Sequence, residues 1–413
     1  MTNADNRTAL PLVLALSVFG GSVVPAIADP GHDASDVSYT WDNRNTDFLP
    51  AFEQQFRADL VESDIELQTE LIVGGLVHPW GIQQLPGDEG FLVTERTGNM
   101  RHISADGTLS DPIGGIPEVL NEVQGGLLDI RTGPTFDDDR MIYWTYSKPM
   151  GDGMSVTAAA RGTLSEDMTQ VTGATDIWVQ DPPSEAPMHY GSRLVFPGDG
   201  TVFITTGEHF TAKYREYAQD IDKTYGKVIR VNLDGSIPDD NPFVGKDGDD
   251  AIWSLGHRNI QGAAIDDAGK LWTIEHGPKG GDELNATEPG KNYGWPLVSY
   301  GEQYDGALVG SGEAQMEGME EPVYFWDPVI APGGMDIHRG EMFADWNGDM
   351  LIGSLIAGGI VRLELNGEGL VEHEERLLSN MGRVRDVDVL RDGSIVFLTD
   401  FENGSVMHVT AKK

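Results

Sequence analysis

From about residue 66 onward, apolar and polar residues alternate over short runs behind Gly and Asp-Gly turn signals, and helical periodicity is almost absent. One unit recurs: a turn, then a strand ending in Thr, Ser or Gly, often with an acid beside it. It reads Gly90-Phe91-Leu92-Val93-Thr94-Glu95, then Met141-Ile142-Tyr143-Trp144-Thr145-Tyr146, then Asp199-Gly200-Thr201-Val202-Phe203-Ile204-Thr205. It returns as Gly269-Lys270-Leu271-Trp272-Thr273-Ile274-Glu275, as Gly348-Asp349-Met350-Leu351-Ile352-Gly353, and from Asp392 to Asp400. The six copies lie about 45 to 80 residues apart, the period of propeller blades carrying insertions. A stacked sandwich or barrel also uses many short strands, but it does not require one turn-strand signature to recur. The expectation is an all-β, six-bladed β-propeller spanning residues 66–413, with site residues scattered among loops around a central channel.

The chain before the repeats reads differently. Leu10 to Val24 is apolar, with Arg7 ahead of it, and Ala26-Ile27-Ala28 before Asp29 fits a signal-peptidase site. Pro11, Pro25 and Gly20-Gly21 make this segment a poor transmembrane helix. Residues 1–28 are therefore expected to be a signal peptide, making the protein periplasmic or secreted without stable membrane insertion. Residues 29–65 are polar and acidic and read as an N-terminal extension, with a short helix predicted near Phe52 to Leu60.

Composition narrows the chemistry. The 413 residues are 39% hydrophobic, ample for a large core, and contain no cysteine. Disulfides, thiolate metal sites and covalent c-type haem are thereby excluded. With 67 acidic against 28 Lys and Arg residues, the net charge is −39. Such a surface repels phosphate backbones and anionic lipid, so nucleic-acid binding and membrane-surface roles are excluded. Most of these carboxylates read as a solvated surface, and calcium binding is the other reading of them.

Five segments carry polar groups that a propeller strand does not need. They are Gln124 to Asp129; His189-Tyr190-Gly191-Ser192-Arg193-Leu194, with Gly207-Glu208 after the next strand; Gly256 to Gly262; Glu275 to Glu283, continuing to Asn292-Tyr293-Gly294-Trp295-Pro296; and Arg383 to Asp386. Singly, each has a plain structural use, such as closing a turn or pairing with a surface acid. Together they supply a histidine, several guanidiniums, a Gln and an Asn, the groups that clamp an anionic, carbonyl-rich ligand and remove a proton beside it.

The same segments carry a resemblance. With Gly75-Leu76-Val77-His78-Pro79-Trp80-Gly81, Gln124-Gly125-Gly126-Leu127-Leu128, Gly226 to Asn232, Gly256-His257-Arg258-Asn259, Gly280-Gly281-Asp282-Glu283, Asn292 to Pro296 and Arg385-Asp386, residues 66 to 410 resemble the PQQ-dependent soluble aldose sugar dehydrogenases, a branch of the glucose/sorbosone dehydrogenases. The resemblance implies oxidation of an aldose at C1 to the lactone, with hydride passing to PQQ. His189 would be the general base and Glu208, where the family more often has Asp, would orient it. Arg258 would face the quinone oxygen on which charge develops, and Asn259 its neighbour. Gln124 would line the cofactor and substrate site, and Arg383 and Arg385 would hold PQQ carboxylates. Calcium is implied twice. One ion would bridge PQQ and the carbonyls of Gly277 and Pro278, and another would use the Glu283 carboxylate and the Tyr293 carbonyl. With no haem motif, electrons would leave to an external cytochrome or quinone.

The family often presents a Lys to PQQ after the fifth-blade strand. Here Gly353-Ser354-Leu355-Ile356-Ala357-Gly358 has none. Two other functions fit the fold, a calcium-dependent propeller lactonase and a non-catalytic carbohydrate-binding propeller. A lactonase lines its channel mainly with Asp, Asn and Glu and has no need of Arg258, Arg383 and Arg385 together. Which sugar is oxidised would be set by loop insertions such as 208–223 and 300–320.

Overall fold

The computed structural model describes residues 44–87 and 89–412. The expected signal peptide and residues 29–43 of the extension lie outside them. The recurring unit is the second strand of every sheet. Blade 1 runs Pro79–Gln84, Phe91–Glu95, Met100–Ile103; blade 2 runs Leu127–Thr132, Met141–Gly151, Met154–Leu164, Val171–Val179. Blade 3 is Leu194–Val195, Thr201–Thr205, Lys227–Asn232, Ile252–Leu255, and blade 4 is Ile260–Ile265, Leu271–Glu275, Asp282–Thr287, Tyr324–Trp326. Blade 5 is Pro332–Ile337, Met350–Ser354, Ile360–Leu365, Val371–Leu377, and blade 6 is Val384–Val389, Ile395–Thr399, Gly404–Ala411, completed by Leu67–Leu76.

The first strand of each blade packs against the first strands of both neighbours, blade 6 against blade 1 included, so the sheets form a closed ring. Closure uses both ends of the repeat region. Leu67–Leu76 pairs antiparallel with the last strand, from Leu67 opposite Ala411 to Leu76 opposite Gly404. This is the six-bladed propeller.

The core lies between blades. Trp144, Leu92 and Leu127 fill the junction of blades 1 and 2, and Trp272, Trp326 and Ile352 that of blades 4 and 5. A blade covered on both faces has no solvent side, so Thr201–Thr205 and Leu271–Glu275 are buried at every position. The outermost strand Val171–Val179 instead has a solvent-exposed stretch, Thr172 to Thr175, before Ile177 and Trp178 are buried.

The predicted helix near Phe52 to Leu60 is not formed. Glu53–Gln55 makes one 3₁₀ turn, Arg57 adopts a left-handed φ of 55°, and Asp59–Leu60 pairs parallel with His373 and Glu374 of blade 5. Tertiary contacts explain the difference, because Phe56 stacks on Phe325 at 4.6 Å and pulls the chain into an extended path. Among the described residues, no helix is long and apolar enough to cross a membrane.

Candidate active site

In an antiparallel blade, the start of the first strand and the end of the second lie at the same end of the propeller. Gln124, His189, Arg258, Asn259 and Arg383 all precede first strands or stand at their threshold, whereas Glu208, Glu275 and Asp400 end or follow second strands. The recurring acid therefore meets the incoming chain in blade after blade. Glu95 accepts the Val77 N–H at 2.7 Å, and Glu275 accepts the Arg258 N–H.

His189 is buried in a left-handed conformation (φ 50°), and its N–H donates to Gln124 Oε1 at 2.9 Å. Gly191, two residues on, has φ +67°, and a Cβ there would meet Thr206 carbonyl carbon at 2.4 Å, so only glycine lets the two loops approach. The imidazole Nδ1 lies 3.1 Å from Glu208 Oε1, and its ring meets Phe210 edge-on at 5.2 Å. Burial pushes Glu208 up to about 7, against the attraction of Arg258 and Arg215. The longer acid at this position still reaches the imidazole.

Arg258 is buried beside this pair. Its Nη1 donates to the His276 carbonyl at 3.0 Å, its guanidinium lies 5.2 Å from the Trp295 ring centre, and its Nε has no hydrogen-bond partner among the described residues. Asn259 Oδ1 accepts from the Gly191 N–H at 3.1 Å and from Gln261 Nε2 at 3.2 Å. Gln261 Oε1 accepts from Arg385 Nη1 at 3.1 Å. Arg385 and Arg383 then converge on Asp400 Oδ2, at 2.7 and 3.1 Å, while His78 Nδ1 lies 3.0 Å from its other oxygen. Burial raises Asp400, but Arg385, His78 and Arg383 outweigh it and hold the carboxyl well below the usual range. Arg383 also donates to the Leu355 carbonyl at 3.2 Å, on the segment that lacks a lysine.

Asp400, Gln261 and His78 were not among the expected site residues, although Asp400 closes the sixth repeat as Glu275 closes the fourth. Beneath them lies another, Arg193. Its Nη1 reaches Asp129 at 3.2 Å and Asp386 at 3.0 Å, its Nε donates to the Gln261 carbonyl at 2.6 Å, and its guanidinium covers Trp80 at 4.2 Å. One buried cation thus ties blades 1, 2, 4 and 6 under the site.

The turn Gly277 to Gly281 is fixed by Asp282, whose Oδ1 accepts the Gly277 N–H at 2.8 Å and whose Oδ2 accepts those of Ile330 and Ala331. Burial raises Asp282 to about 7. Glu283 stands directly opposite Glu275 across the strands, and burial together with that like charge raises Glu283 well above the normal range. Asn285 Oδ1 is buried and has no hydrogen-bond partner among the described residues. A small cavity is lined by Arg258, Glu275, Glu283, Gly277, Tyr293 and Ser299, among others. Paired carboxylates, an orphaned amide oxygen and nearby carbonyls make an oxygen-only donor set suited to a hard cation. No cluster of three His, Asp or Glu side chains able to hold a metal occurs among the described residues. The expected calcium ligands, Gly277, Pro278, Glu283 and Tyr293, are mostly carbonyls.

The family model for glucose/sorbosone dehydrogenases matches residues 76–408. The chain belongs to that family. It is 39% identical over 350 residues to an aldose sugar dehydrogenase of Escherichia coli (strain K12), covering 84% of this chain and 93% of the relative. The solved apo-form of the soluble aldose sugar dehydrogenase from Escherichia coli superposes with a TM-score of 0.81, covering 84% of this chain and all of that one. The PQQ-bound aldose sugar dehydrogenase of Streptomyces coelicolor is 26% identical with a TM-score of 0.68, over 84% of this chain and 99% of the other. The family is one of oxidoreductases that act on the CH–OH group of sugars.

Proposed function

We propose that this protein oxidises an aldose at C1 to its lactone, with PQQ as hydride acceptor, calcium as its partner ion, and an exported location where an external cytochrome or quinone takes the electrons. The observation that carries the reading is the buried His189–Glu208 pair beside the Arg258, Asn259, Arg385 and Arg383 array. The array suits PQQ: Arg258 and Arg385 each keep a buried Nε without a hydrogen-bond partner among the described residues, and planar guanidiniums match carboxylates. Arg383, Arg385, Asn259, Arg258 and Gln124 would hold the cofactor; Gly277 and Pro278 would hold its calcium; Glu283 and Tyr293 would hold a structural one.

PQQ, when bound, supplies the acceptor for hydride, and calcium supplies Lewis acidity. In its ionised form Glu208 accepts from Nδ1–H and keeps the proton there, which makes Nε2 the basic nitrogen of His189 as pH rises through about 7. Nε2 takes the proton of the anomeric hydroxyl as the C1 hydrogen leaves with its electron pair, and the C1–O bond of the already closed ring becomes the lactone carbonyl. Glu208 stabilises the imidazolium so formed. Arg258 holds buried positive charge next to the base, preorganised for negative charge that develops across the site.

The test is to load the purified protein with PQQ and calcium and follow dye reduction with a panel of aldoses. Saturable turnover that requires both additions is expected. Absence of PQQ binding together with absence of turnover would refute the reading.

A further inference from the structure

From residue 44 onward, the described part of the N-terminal extension packs against the propeller. Asn45 and Thr46 enclose the carboxylate of Asp327, which is almost fully buried in the loop leaving blade 4. Asn45 donates its N–H at 2.9 Å and its Nδ2 at 2.7 Å, and Thr46 its N–H at 2.9 Å, with Thr46 Oγ1 lying 3.3 Å from the carboxylate. Among the described residues these two supply all the hydrogen bonds that Asp327 receives. A buried carboxylate stripped of its donors is costly, so its position depends on them.

Asp327 is in turn the wall behind the turn Gly277 to Gly281. Gly280 has φ +82°, and a Cβ there would meet Asp327 Oδ1 at 2.8 Å. The Gly281 N–H donates to the Trp326 carbonyl at 2.8 Å. On the other side, a Cβ on Gly281 would meet the Gly301 nitrogen at 2.6 Å, and Lys279 exchanges backbone bonds of 2.9 and 3.0 Å with Glu302. Thr46 Oγ1 also donates to the Tyr300 carbonyl at 2.9 Å, so one residue bonds both walls of the turn.

The segment is delivered there by anchors farther along. Gln55 is wholly buried, accepts from the Tyr300 hydroxyl at 3.1 Å and donates to the Pro322 carbonyl at 2.9 Å. Phe56 extends a stack through Phe325 to Tyr300. Ala58 donates to the Tyr324 hydroxyl and Ser63 to Glu375. All of this lies before residue 76, where the family model begins.

We propose that residues 45–63 are an intramolecular clamp whose tip, Asn45-Thr46, positions the Gly277–Gly281 turn through Asp327 and thereby sets the affinity for PQQ and its calcium. The last step rests on the proposed function; the positioning of the turn does not. Asn45 and Thr46 are positioning residues rather than catalytic ones.

The test compares the full chain with its Thr46→Pro and Asn45→Ala variants. Thr46→Pro removes a backbone donor and a hydroxyl, and Asn45→Ala removes one side-chain bond. Hydrogen exchange without PQQ is expected to speed up by about tenfold or more at the Lys279 and Gly281 amides in Thr46→Pro, less in Asn45→Ala, with the other blades unchanged. PQQ binding at fixed calcium, followed by its absorbance, is expected to weaken about tenfold in Thr46→Pro and to recover as calcium is raised, with kcat at saturation retained. Wild-type exchange at both amides in either variant would overturn the clamp, as would weaker PQQ binding with unchanged exchange. If the unaltered chain binds no PQQ, the proposed function fails while the exchange result still decides whether the clamp holds the turn.

Discussion

At the scale of single residues, the site is a chain of contacts rather than a set of free groups. Gln124 holds the His189 backbone, Glu208 holds its ring, and Gln261 passes from Asn259 to Arg385. Replacing His189 with Ala is expected to lower kcat/KM by about 10³-fold or more while leaving circular dichroism and PQQ affinity close to wild type. An active variant would refute the role of base proposed for it. Glu208 titrates from about 7 when folded against 4.5 in its ordinary state, so its contribution to stability is full below 4.5 and lost as pH rises through about 7. The stability difference between wild type and Glu208→Gln should therefore drift against wild type across that window, by up to roughly 3 kcal/mol in denaturant titrations at each pH. His189, Arg258, Asn259 and the Arg383/Arg385 pair were legible in the sequence because each sits in a local word with its own neighbours. Asp400, Gln261 and Arg193 were not assigned, because what they do depends on partners such as Arg385 and Asp386, brought near only when the ring closes.

At the scale of elements, the second strands were legible because burial on both faces and a turn at their start leave a repeated apolar signature. The outer strands and the clamp were less so. Gln55 acts through Pro322, 267 positions away, and Phe56 through Phe325 of blade 4, so local propensity pointed to a helix where an extended path forms. The closing strand is the element on which the ring depends. Leu76 is fully buried in the junction of blades 6 and 1. Leu76→Ala is expected to cost about 2–5 kcal/mol in urea unfolding, more than a comparable change at exposed Leu71, which should stay within about 0.5 kcal/mol.

At the scale of the whole molecule, the ring explains both the scattered site and the tolerance for insertions, since each blade contributes one loop pair to one end. The charge of −39 belongs to this scale too. Self-repulsion is expected to lower stability at low ionic strength, so the melting temperature should rise with added salt until screening is complete. A flat response would mean that the acids are already neutralised by close partners. The fold class was readable because repetition multiplies a weak signal sixfold, while the substrate was not, because the insertions 208–223 and 300–320 that would choose it lie outside the repeated pattern.

The most direct measurement follows an aldose carrying deuterium at C1 through the PQQ- and calcium-loaded protein, with product identity and dye reduction recorded together. The proposed C1 oxidation predicts one lactone formed for each two-electron equivalent of dye reduced, a primary isotope effect on kcat/KM, and loss of both in His189→Ala. Dye reduction without lactone, or lactone formation that His189→Ala leaves intact, would contradict it.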